Sequence, residues 1–191
     1  KSASPTMEWS SCSLFTPTLD LGSSSRLGLQ SDGTKLINLP FPFKWEGDKE
    51  YYDQIIVDNT GGISVGDGTD DCKRRIVSAY LFDKKGYRGS IYMSSNNKDY
   101  ILISWEDVIP LDDIKSSFRV NFQVVLHADG RIEMRWGTGF YPTSHQMAAF
   151  LYGDCPSRLD RAFPGSGRTE FGVWPTDQCR MFLPDASGFY L

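Results

Sequence analysis

Apolar and polar residues alternate most clearly at the centre of the chain. From Ser117 to Leu126, Phe118, Val120, Phe122, Val124 and Leu126 fall on one face and Arg119, Asn121 and Gln123 on the other. A period of two over ten residues predicts a half-buried strand. His127-Ala128-Asp129-Gly130 follows as a turn, with Gly free to take positive φ. Arg131 to Trp136 then answers with Ile132, Met134 and Trp136 inward and Arg131, Glu133 and Arg135 outward, which completes a hairpin.

A second hairpin is predicted from Ser90-Ile91-Tyr92-Met93, through the polar turn Ser95 to Asp99, into Tyr100-Ile101-Leu102-Ile103-Ser104-Trp105. Shorter strands fit residues 52–57, 62–65, 76–82, 146–152 and 169–174. Leu36 to Phe43 has strong strand formers but contains Pro40 and Pro42. Proline has no N–H to give to a ladder, so this strand is expected at a sheet edge or bulged. Apolar residues do not recur at helical spacing over three turns; at most a short helix near residues 156–162 is expected. The pattern predicts an all-β fold, an antiparallel β-sandwich with long loops. Residues 1–35, rich in Ser, Thr, Gly and Pro, read as an extended N-terminal arm, and residues 36–191 as a single sandwich domain that includes a disulfide-held C-terminal segment.

With 191 residues, 40 % apolar and 14 % aromatic, the chain is long enough for one substantial core and too apolar for disorder. Its net charge of −4 argues against a nucleic-acid partner. The basic run Lys73-Arg74-Arg75 reads as a solvated loop. No apolar run reaches the length of a transmembrane helix, and the start at Lys1-Ser2-Ala3 lacks Met and a signal-like apolar stretch, as expected of an ectodomain or a processed chain.

Cys12, Cys72, Cys155 and Cys179 are even in number, widely spaced and without a C-x-x-C pair. Disulfides in an oxidising, extracellular setting are therefore expected rather than zinc or dithiol chemistry. Four cysteines allow three pairings. The preferred one joins Cys155 to Cys179, closing a loop-rich tail, and Cys12 to Cys72, pinning the N-terminal segment. No N-x-S/T sequon occurs.

Candidate chemistry is sparse. His127 falls in a hairpin turn and His145 in a loop, and both read as structural or solvated. Glu106-Asp107 and Asp112-Asp113 are adjacent acids, and neighbours on a strand point to opposite faces, so neither forms the facing pair that a glycosidase needs. Asp67 to Asp71 carries calcium-type oxygen donors but lacks an EF-hand register, and reads as an acidic turn beside Cys72. No catalytic residue, metal site or cofactor is assigned. The aromatic residues in or beside loops, Trp45, Tyr51, Tyr52, Tyr141 and Trp174, are the candidate ligand-binding residues, because such rings bury large areas at little entropic cost.

The order of several segments resembles a known family. Leu39-Pro40-Phe41-Pro42-Phe43, Ile55-Ile56-Val57, Thr60-Gly61-Gly62-Ile63, Ile101 to Val108 and Ser117 to Leu126 with Asp129-Gly130-Arg131-Ile132 together resemble the extracellular region of the plexin-domain-containing (tumour endothelial marker) proteins, and more distantly the nidogen-type extracellular domain. The resemblance covers about residues 36–152; residues 153–191 have no counterpart in it. It implies a non-enzymatic adhesion or receptor module, secreted or membrane-anchored, that binds an extracellular or cell-surface protein, within a larger surface complex or alone. The alternative is a carbohydrate-binding module or glycan-active enzyme on a similar sandwich. Trp9-Ser10-Ser11-Cys12-Ser13 is similar to the core of thrombospondin-type repeats, but that module's Trp-Arg ladder and other cysteines are absent.

Overall fold

The computed structural model describes residues 12–18, 24–28, 33–45, 50–65, 75–82, 87–110, 119–138, 146–152, 159–162 and 177–182. These contain twelve strands: β1 (Ser24–Arg26), β2 (Thr34–Phe43), β3 (Tyr52–Asp58), β4 (Ile63–Val65), β5 (Arg75–Phe82), β6 (Tyr87–Ser95), β7 (Tyr100–Pro110), β8 (Val120–His127), β9 (Ile132–Trp136), β10 (Gln146–Tyr152), β11 (Leu159–Ala162) and β12 (Gln178–Phe182). They form two antiparallel six-stranded sheets. Sheet A runs β1-β6-β7-β8-β9-β12, and sheet B runs β11-β10-β5-β4-β3-β2. The fold is the expected all-β sandwich.

Alternation decides which side chains enter the space between the sheets. On β8, Val120, Phe122, Val124 and Leu126 are fully buried in the core, beside Ile101, Ile103 and Trp105 of β7 and Ile132, Met134 and Trp136 of β9. Sheet B contributes Ile37, Phe41 and Phe43 from β2, Ile55 and Val57 from β3, Ile63 and Val65 from β4, and Val77 and Ala79 from β5. Trp105 and Phe122, cross-strand partners, stack with ring centroids 4.9 Å apart. Two tryptophans also carry hydrogen bonds across the sandwich: Trp136 Nε1 donates to the Ala79 carbonyl at 2.8 Å, and Trp105 Nε1 to the Asp58 carbonyl at 3.3 Å. Burying the rings supplies the hydrophobic gain, and the N–H partners remove the cost of burying their polar tips.

Both predicted hairpins form. β8 and β9 turn over Ala128–Gly130, with Gly130 at φ 89° and its N–H donating to the His127 carbonyl at 3.0 Å. Between β6 and β7, Asn97 takes φ 63°, and Asn96 Oδ1 accepts from the N–H groups of Lys98, Asp99 and Tyr100 at 3.1, 2.8 and 3.2 Å. Asn tolerates such positive φ and caps its own turn better than other residues. The proline-bearing β2 is both at the edge of sheet B and irregular, its register with β3 shifting between Asn38 and Phe43.

Three expectations change. The stretch expected to be an extended arm contains β1, which pairs with β6 from Ser24↔Ser94 to Arg26↔Tyr92, and β2 begins at Thr34 rather than Leu36. The short helix near residues 156–162 is replaced over Leu159–Ala162 by β11, whose pairing with β10 overrides a weak local helix signal. The preferred cysteine pairing is overturned: Cys12 is bonded to Cys179, with Cα atoms 5.9 Å apart. The reason is topological. β12 pairs with β9, which sets Cys179 opposite Arg135 on the outside of sheet A, where the N-terminal segment crosses. Cys72, Cys155 and the expected strand at residues 169–174 lie outside the described residues.

Candidate functional site

The outer face of sheet A carries a row of polar side chains that the alternation places there. Trp105, Phe122, Met134 and Trp136 point inward, so Ser104 and Glu106 of β7, Gln123 of β8 and Glu133 and Arg135 of β9 point outward. Solvation is the ordinary fate of such a row, and alternation alone assigns these residues to the polar face. Instead Ser104 and Gln123 are fully buried, Glu133 is 2 % exposed and Glu106 9 %.

The cover includes the segment from Cys12 to Thr18. Its first residue is tied covalently to Cys179 on β12. The Ser13 N–H donates to Glu133 Oε1 at 2.7 Å, Gln123 Nε2 donates to the Thr16 carbonyl at 2.6 Å, and the Thr18 N–H and Oγ1 both donate to Glu106 Oε1 at 2.8 Å. Ser104 Oγ adds a third bond to Glu106 Oε1 at 2.7 Å and accepts one from Gln123 Nε2 at 3.1 Å. Phe15 packs over Gly137, where an added Cβ would come within 3.0 Å of the ring.

A backbone bulge sets the end of this row. After Trp105 the inward–outward phase slips by one residue: Glu106 faces out, Asp107 takes φ 51° and is exposed, and Val108 returns to the core at 1 % exposure. The Asp107 N–H donates to Asn121 Oδ1 at 2.9 Å. On β6 the matching slip falls at Gly89, where a Cβ would lie 2.8 Å from the Val108 Cα. Bulges of this kind re-aim side chains without breaking the sheet.

Glu133 is the most perturbed group. Burial acts to raise its pKa, but the contacts from His127 and Arg135, the Arg135 charge and the Ser13 N–H outweigh it and hold the pKa at about 2. Arg135 bonds it through Nε to Oε1 at 2.8 Å and Nη2 to Oε2 at 3.1 Å. His127 Nε2 lies 3.4 Å from Oε2, a contact that needs the proton on Nε2. Cys12, Glu133 and Cys179 place ligand-type atoms within 4.8 Å of one another. They do not make a metal centre as they stand, because the two sulfurs are bonded to each other and Arg135 occupies both carboxylate oxygens.

The sequence-predicted aromatic residues part company. Trp45 is fully buried in the core and unavailable to a ligand in this state, and Tyr52 is partly buried against the same cluster. Tyr51 is 65 % exposed. Tyr141 and Trp174 lie outside the described residues, as do His145, Asp112-Asp113 and the Asp67–Asp71 turn. Alternation could not foresee the cover over Gln123 and Glu133; the one signal was a cysteine at the end of a Ser/Thr-rich segment.

A second feature lies on sheet B. Leu36, 45 % exposed, stands beside its cross-strand partner Ile56 on the outer face of β2 and β3, next to the pair Gln54 and Asn38, whose side chains are joined by a 2.9 Å hydrogen bond. Tyr51 precedes β3 in the same hairpin. Leu36, Tyr51 and Leu14 are the exposed large apolar side chains among the described residues.

No protein-family model, curated protein or solved structure matches this chain.

Proposed function

We propose that this chain is a non-enzymatic adhesion or receptor-type module of the cell surface or matrix, which binds a protein partner through the β2–β3 edge of sheet B. The observation that carries the reading is the exposure of Leu36 and Tyr51 on that one hairpin, with Asn38 and Gln54 as polar neighbours. Exposed apolar side chains interspersed with polar ones along a hairpin suit a protein-binding surface, and Pro40 and Pro42 disfavour plain strand-to-strand aggregation there. The Cys12–Cys179 disulfide accords with an extracellular location, and the resemblance to plexin-domain-containing and nidogen-type ectodomains supports the same class of function. The reading assigns no catalytic residue: Glu106, Glu133 and His127 are engaged in contacts that hold the fold.

The test is capture by the oxidised domain from cell-surface and matrix fractions, run beside a glycan array. Saturable capture of a protein with no glycan signal is expected. Glycan binding without protein capture would overturn the reading in favour of a carbohydrate-binding module.

A further inference from the structure

The segment Cys12–Thr18 covers sheet A in an unusual way. Among the described residues it shares no backbone–backbone hydrogen bond with the sheet; every polar contact runs through a side chain, from Glu133, Gln123 and Glu106. Ser13, Leu14 and Pro17 are exposed. Beneath the segment the row is incompletely satisfied. Gln123 spends its amide N–H groups on Thr16 and Ser104, while its Oε1, fully buried, has no hydrogen-bond partner among the described residues. Buried polar atoms are nearly always paired in a finished core. A face that retains an unmet acceptor under its own cover is better fitted to a cover that comes off.

The fastening is a single covalent bond at one end. Cys12 and Cys179 are both half-buried rather than sealed, and β12 is the edge strand of sheet A. We propose that Cys12–Thr18 is a releasable strap whose latch is the Cys12–Cys179 disulfide. A dithiol reductant attacks the bond through its thiolate; the Cys12–Cys179 S–S bond breaks, an S–S bond forms within the reductant, and the reductant's two protons end on the Cys12 and Cys179 thiols. With the latch open, the described contacts that remain to the strap are the packing of Phe15 over Gly137 and the side-chain hydrogen bonds from Glu133, Gln123 and Glu106, without a covalent tie. Its departure uncovers the outward row of Glu106, Ser104, Gln123 and Glu133. This surface is on sheet A, and the inference is independent of the binding edge assigned to sheet B.

The experiment is hydrogen exchange on the full chain, comparing the native protein with the Cys12→Ser, Cys179→Ser double variant, which removes this disulfide and leaves Cys72 and Cys155 untouched. Protection of the Ser13 and Thr18 amides is expected to fall by about tenfold or more in the double variant, with protection of the β7–β9 amides retained. Unchanged protection at Ser13 and Thr18 would overturn the proposal, since side-chain bonds alone would then hold the strap. Loss of protection across β7–β9 as well would also overturn it, making the disulfide a staple of the whole fold.

Discussion

Trp136 on β9 gives its indole N–H to the carbonyl oxygen of Ala79 on β5, 2.8 Å away, across the interior of the sandwich. The bond joins the two sheets at a place where both residues are buried, so neither group has water as a substitute. Trp136→Phe keeps most of the ring but leaves the carbonyl unpaired and a small void. It is expected to cost about 2–3 kcal/mol, read as a lower midpoint in chemical denaturation with an unchanged slope.

Glu133 links stability to acid. Its pKa, about 2 in the folded chain against 4.5 for the free side chain, is depressed, so its contribution is complete above pH 4.5 and is lost as pH falls towards 2. A shift of that size corresponds to roughly 3 kcal/mol. Denaturation midpoints between pH 6 and pH 2 are expected to fall, and Glu133→Gln is expected to flatten part of that fall. The same variant is expected to be less stable at pH 7, because Arg135 loses a charged partner in a nearly buried position. A pH profile identical in wild type and Glu133→Gln would contradict the assignment.

Glu106 gathers three donors on one oxygen, two of them from Thr18. Glu106→Ala strands the Thr18 N–H, Thr18 Oγ1 and Ser104 Oγ, with an expected loss of about 2–3 kcal/mol. Thr18→Val removes only the hydroxyl and is expected to cost about 1 kcal/mol. Thermal melts give the order, at about 2–4 °C per kcal/mol for a chain of this size; equal shifts for both variants would show that Glu106 does not act through these donors.

The bulge opposite Val108 makes a sharper steric prediction. A Cβ at Gly89 would meet the Val108 Cα at 2.8 Å, a backbone atom that cannot swing aside. Gly89→Ala is therefore expected to destabilise by about 1–3 kcal/mol, whereas Gly28→Ala, with nothing near its Cβ position, should change stability by less than about 0.5 kcal/mol.

Much of the sandwich is legible in the sequence because strand periodicity reports one thing well: which side chains share a face. Phe122, Val124 and Leu126 announce a strand, the Asp129-Gly130 turn announces its partner, and Pro40 and Pro42 mark β2 as an edge. The candidate surfaces are less legible. Trp45 sits beside a loop in sequence but is at 0 % exposure, since burying a large ring in the core outweighs exposing it. Gln123 and Glu133 have the spacing of solvated residues, and the N-terminal segment, tied down by Cys12–Cys179, bonds to both and forms part of their cover. That cover depends on contacts more than a hundred residues apart, which local patterning does not encode. The slip at Asp107 was invisible for a related reason: it shows only when Val108 must rejoin the core.

The claim that the β2–β3 edge binds a protein is tested most directly by comparing the captured partner's affinity for the native domain with its affinity for a Leu36→Ser, Tyr51→Ala double variant. Both side chains are exposed, so the variant is expected to melt close to the native chain while binding at least about tenfold more weakly, as loss of apolar anchors at an interface predicts. Undiminished affinity in a variant that remains folded would contradict the account and move the binding surface elsewhere on the sandwich.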